Sequence, residues 1–174
     1  MRTTPNRSWK IALFLGAALV LTTGVHDAAA RRKGERVTAT VNGKHVKWGA
    51  KKIGILPIPG AVSFVAAPKH PHLHQLVRGL AFSCIIDLTT ITFPVTLSSP
   101  QICTIGYTQL RFGLNQNLEM WGATNADDSV AVTFDSFDGR RLTGTFHGTL
   151  AAEIPTTNPP ATIENGTFAI DIGG

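Results

Sequence analysis

Apolar and polar positions alternate with a period of two through much of residues 37–172. Val37, Ala39 and Val41 stand against Thr38 and Thr40, and Val46 and Trp48 against Lys47. Val130, Val132 and Phe134 alternate with Ala131 and Thr133. Leu142, Gly144, Phe146, Gly148 and Leu150 alternate with Thr143, Thr145, His147 and Thr149, and Phe168, Ile170 and Ile172 close the series. A period of two puts successive side chains on opposite faces, so each run predicts a half-buried strand. Asn42-Gly43 and Asp138-Gly139 predict two-residue type I′ hairpin turns, and Asn165-Gly166 carries the same turn signal.

The middle of the chain is less regular. Pro57 and Pro59 remove backbone donors, so Lys51–Gly60 reads as an edge or a connection. Ala61–Ala66 is a short apolar strand, Gln75–Gly79 suits a helical turn, and residues 80–88 suit a strand. Thr89–Leu97 reads as another strand with Pro94 at an edge or bulge, followed by strands at Ile102–Phe112 and Leu118–Trp121. The count is eight or nine short strands with no helix of ordinary length after the leader. This predicts an all-β fold: an antiparallel β-sandwich, with a β-barrel as the alternative. Leu142, Phe146, Phe168 and Ile170 belong to the core on this pattern. Gly144 and Gly148 on the same face leave room for Phe134 or Trp121, or allow a bend.

The first thirty residues follow a different grammar. Arg2, Arg7 and Lys10 precede an apolar run, Ile11–Leu21, and Ala28-Ala29-Ala30 offers a cleavage site after Ala30. That is the pattern of a secretory signal peptide, and the run is shorter than the ~20 residues of a membrane span. Residues 1–30 are therefore expected to be the leader and residues 31–174 a single exported domain, periplasmic or extracellular, with no stable membrane span.

Cleavage changes the charge from +5 to +3, because the leader carries three basic residues and one acid. The remaining charge is uneven. Residues 31–52 hold eight basic side chains and one acid, Glu35, against five basic and nine acidic residues in the rest. The segment could meet an anionic surface; nucleic acid is not an expected partner of an exported chain. Two cysteines in such a chain, Cys84 and Cys103, predict one disulfide. Closing the eighteen residues between them is worth roughly 3 kcal/mol.

Gly144-Thr-Phe146 with Gly148-Thr-Leu150, followed by Ile163-Glu-Asn-Gly-Thr-Phe168, resembles the C-terminal half of a family of uncharacterised bacterial exported β-proteins, many of them lipoproteins. Val41-Asn-Gly43 is similar to the family's V-N-G-x-x-W element, with Trp48 two positions later than its aromatic. The resemblance covers about the first 15 and last 45 mature residues. It implies a sandwich-like exported domain of unknown activity and carries over no catalytic residue. The lipidation cysteine of many members is missing here.

Candidate chemistry is sparse. His70, His72 and His74 share one face of an extended segment at about 6.6 Å per step. Imidazole suits Zn²⁺ or Cu²⁺, and two of the three with His45 or His147 could ligate such an ion. Asp127, Asp128, Asp135 and Asp138 gather around two turns, but turn chemistry accounts for them without Ca²⁺. No G-x-S-x-G elbow or triad ordering is present, Ser83 and Ser136 are ordinary strand or turn residues, and Glu119 and Glu153 have no spacing that decides a role. The Thr143, Thr145, Thr149 row with His147 suits a solvated strand face. The expected function is a non-enzymatic binding or surface-interaction module, and the alternative is a periplasmic metal-binding protein built on His70–His74.

Overall fold

The computed structural model describes residues 34–56, 60–68, 76–98, 102–111, 117–123 and 129–172. The leader, the His70–His74 segment, Asp127 and Asp128 lie outside these residues. The first hairpin follows its pattern closely. Strands β1 (Arg36–Val41) and β2 (Lys44–Gly49) bury Val37, Ala39, Val41, Val46 and Trp48. They are joined at Asn42 and Gly43, whose φ angles of 48° and 72° are those of a type I′ turn. A 3-10 turn, Ala50–Lys52, leads into β3 (Ile53–Leu56). Then come β4 (Ala61–Ala66), β5 (Leu76–Ile85), β6 (Val95–Ser98) and β7 (Cys103–Arg111). The series ends with β8 (Asn117–Gly122), β9 (Val130–Phe137), β10 (Arg141–Ile154) and β11 (Ala161–Asp171).

The eleven strands form one antiparallel sheet. Nine follow the order β2-β1-β11-β10-β8-β7-β5-β4-β3, and β9 pairs β10 with β6 beyond it. The long strand β10 explains how one sheet becomes two facing layers. Residues 142–148 pair with β9, and residues 151–154 pair with β8 along the same edge. Between them Gly148 has φ +146°. A Cβ there would overlap the Ser129 carbonyl oxygen, so only glycine lets the strand turn at this close approach. At the other end of the path, β2 and β3 are joined by the 3-10 turn and not by a ladder. The result is barrel-like and nearly closed, between the two architectures the periodicity allowed.

The layers meet on a phenylalanine cluster. Phe168 lies 5.9 Å from Phe64, 5.6 Å from Phe82, 5.7 Å from Phe134 and 6.4 Å from Phe146, ring centre to ring centre. Two Gly-Thr-Phe triplets pair antiparallel, Gly144 opposite Phe168 and Phe146 opposite Gly166. Each ring occupies the space over the facing glycine, since a Cβ on Gly144 would strike the Phe168 ring and one on Gly166 the Phe146 ring. Gly144 therefore makes room for Phe168 and not for Phe134 or Trp121. The expected core residues Leu142, Phe146, Phe168 and Ile170 are all buried.

Several expectations are corrected. Leu76–Gly79 is strand, not helical turn: β5 runs from Leu76 and pairs with β7 up to Arg111. Ile53–Leu56, by contrast, is an edge strand paired with β4, one of the two readings expected for Lys51–Gly60. The strand expected at Thr89–Leu97 shortens to Val95–Ser98, an edge strand as Pro94 suggested. The chain turns first, because Asp87 Oδ1 accepts from the Thr89 N–H and hydroxyl at 3.0 and 2.7 Å. Asn165-Gly166 is not a hairpin turn. Asn165 (φ 51°) is the extra residue of a bulge inside β11, against β1 on one side and β10 on the other. At Asp138-Gly139 positive φ falls on Gly139 alone among the loop residues. Glycine thus takes the first central position, the pattern of a type II′ turn. Asp138 sits outside the turn's centre and caps it, accepting from the Arg140 and Arg141 N–H groups at 2.9 and 2.6 Å.

The outer surfaces of the two layers differ. Across one, Thr96, Thr133, Thr145, Thr167, Thr38 and Lys47 stand directly opposite one another on six successive strands. Hydroxyl pairs Thr38–Thr167 (2.8 Å) and Thr96–Thr133 (2.9 Å) satisfy part of that row. Across the other, the matching row is Gly54, Val65, Ala81, Gly106, Gly122 and Ala151.

Candidate functional site

Cys84 and Cys103 stand directly opposite on β5 and β7 and form the expected disulfide, fully buried. The bond is compatible with an oxidising compartment. The metal site expected at His70, His72 and His74, with His45 or His147 as a partner, lies outside the described residues apart from that partner. His45 and His147 are both exposed, on β2 and β10, three strands apart in the sheet. That separation is about 14 Å at ordinary strand spacing, so at most one of them could partner that segment. Among the described residues no group of three His, Cys, Asp or Glu side chains could hold a metal. Asp135 is exposed in a bulge of β9. Asp138 is engaged by its turn, and the N–H groups of Arg141 and then Arg140 hold its carboxyl below the usual value. Ser83 pairs its hydroxyl with Ser63 at 2.6 Å, and Ser136 with Thr143 at 2.8 Å. Among the described residues no helix is long and apolar enough to cross a membrane.

What the structure does bring together is a group the pattern left unassigned. Leu80, Phe82 and Cys84 face inward on β5, so Arg78, two residues before Leu80, faces inward too. Arg78 stands opposite Gln109 on β7, which stands opposite Glu119 on β8. The three are half-buried. One row deeper, Leu80, Tyr107 and Trp121 stand opposite one another, with Tyr107 and Trp121 rings 5.8 Å apart. Trp48 reaches from β2 and donates its indole N–H to the Arg78 carbonyl at 3.0 Å. Trp121 donates to the Pro159 carbonyl at 3.0 Å, so both buried indoles are satisfied. A polar row thus caps the aromatic end of the core.

Arg78 carries the chemistry of this group. Its Nε is buried and has no hydrogen-bond partner, the one such side-chain atom among the described residues. A native orphan of this kind calls for a reason. Its guanidinium lies close enough to the Tyr107 hydroxyl to act on it through charge and hydrogen bonding, both of which hold that hydroxyl's pKa down. The Nε–H and an Nη–H of one guanidinium edge match the two oxygens of a carboxylate. Glu119 bounds the row and accepts from Asn117 Nδ2 at 3.4 Å. Sequence reasoning missed Arg78 because Gln75–Gly79 read as a helical turn. Running the Leu80-Phe82-Cys84 alternation backwards would have assigned it.

Tyr107 is the single tyrosine of the chain and reports on this site. Burial pushes its hydroxyl up from 10.0 to about 12, opposed by the charge and hydrogen bond of Arg78, with the Glu119 charge adding to the rise. The neutral phenol is therefore favoured by folding. Its contribution is fully present below about pH 10 and is lost as pH rises through about 12. Tyrosinate absorbance in the folded protein should appear near pH 12, and Arg78→Met should move it higher. A titration centred near pH 10 would exclude this environment.

No family model, no curated protein and no solved structure matches the chain.

Proposed function

We propose that the chain is an exported, non-enzymatic binding or surface-interaction module whose ligand end is the Arg78 row. The orphaned Nε of Arg78, inward-facing above Tyr107 and beside Trp48, is the observation that carries this reading. A half-buried guanidinium with one edge unpaired matches the two oxygens of a planar anion. The leader pattern and the disulfide support export.

Thermal unfolding in the presence of acetate, benzoate or phenylacetate tests the reading. At a concentration of 100 Kd a ligand stabilises by about 2.7 kcal/mol, so a binding carboxylate raises Tm clearly. The rise should vanish in Arg78→Met, whose apolar stem keeps the packing, and should be absent with the matching amides. Equal shifts in wild type and variant, or none with any carboxylate, would overturn it.

A further inference from the structure

We propose a second contact surface, independent of Arg78: the β1–β2 hairpin and the corner at Lys52 dock the protein on an anionic phospholipid surface. The charge asymmetry of residues 31–52 becomes sharper in the structure. Arg36, Lys44, His45, Lys47 and Lys52 are all exposed. The single acid of the segment, Glu35, is only 4% exposed and accepts from the Asp171 N–H at 2.9 Å, so it is turned away from this surface. Asp171 in turn meets Arg140 and Arg141 at 3.3 and 3.5 Å. Glu35 and Asp171 are thus buried while Lys44, Lys47 and Lys52 are exposed.

The geometry favours a surface over a pocket ligand. β2 ends the strand path, so among the described residues the hairpin has no ladder partner beyond it. Lys47 lies opposite Thr38, and His45 opposite Thr40, on one outer face. The facing acid nearest in the ladder is exposed Glu164, opposite Thr40 on β11. The other described exposed acids, Asp87, Asp135 and Asp138, lie outside the hairpin and β11. A molecule charged this way turns its basic corner to a negative plane.

Vesicle co-sedimentation with the full chain tests this, the leader being common to every variant. Binding to phosphatidylglycerol–phosphatidylcholine vesicles should exceed binding to pure phosphatidylcholine. It should fall steeply between about 0.1 M and about 1 M salt, as the screening length drops from about 10 to about 3 Å. One basic side chain near such a surface contributes about fivefold, so Lys47→Glu, which removes one charge and adds its opposite, should weaken binding about 25-fold. Arg111→Glu, the same charge change on β7, should leave it within about twofold. Equal losses in the two variants, or equal binding to neutral vesicles, would overturn the proposal. Competition by millimolar inorganic phosphate, or equal affinity for duplex DNA, would identify a different anion and overturn it as well.

Discussion

A Phe168→Ala variant should lose about 3–5 kcal/mol of folding stability, seen as a lower urea midpoint with an unchanged slope. The size follows from position. Phe168 is 2% exposed and is the ring that touches Phe64 and Phe82 in one layer and Phe134 and Phe146 in the other. Truncating it empties the centre of the contact between layers. It also uncovers Gly144, whose missing side chain leaves nothing to collapse into the space. Phe137, half-buried at the end of β9, is the comparison. Phe137→Ala should cost less than half as much. Equal losses at the two positions would show that the cluster is not the centre of the core.

Gly148→Ala should be at least as damaging, about 3 kcal/mol or more, although it adds one carbon. Its φ of +146° is unfavourable for any L side chain, and the new Cβ would overlap backbone atoms of Ser129 and Val130. Backbone cannot rotate aside as a side chain can. Yielding would break the bond from the Thr149 N–H to the Ser129 carbonyl, 2.9 Å long, which seats β10 at the turn between layers. Gly43→Ala isolates the φ contribution, because Gly43 has φ +72° and nothing within 4 Å of a Cβ. It should cost about 1 kcal/mol. If thermal melts rank the two substitutions together, steric exclusion at Gly148 is not what fixes the bend.

Period-two alternation was enough to make Val37–Val41, Val130–Phe134 and Leu142–Leu150 legible, because one face of each is buried and the other is at least partly exposed; at Phe168–Ile170 Ala169 is buried as well. It failed where a local competitor outweighed it. Pro57 and Pro59 left Lys51–Gly60 as an edge or a connection, and only the pairing of Ile53–Leu56 with β4 decides for an edge strand there. Asp87 ties down Thr89 and halts extension among residues of high strand propensity. Asn165-Gly166 carries the local chemistry of a hairpin turn, yet both flanks are held by long-range ladders that turn its positive φ into a bulge. The same limit hid the site. A charged residue is assigned to solvent by default, and the inward direction of Arg78 follows from the Leu80-Phe82-Cys84 alternation once β5 is extended back to Leu76. The disulfide was legible from count and compartment alone; that its cysteines face each other across neighbouring strands required the register.

Because β10 is a member of both layers, neither layer has an unfolding equilibrium of its own. Separating β8 from residues 151–154 loosens the bend that also seats β9, and detaching β11 strips the opposite edge of the same strand. Amide protons deep in β5 and in β11 should therefore exchange through a common global opening, as a single cooperative unit and not as two stacked foldons.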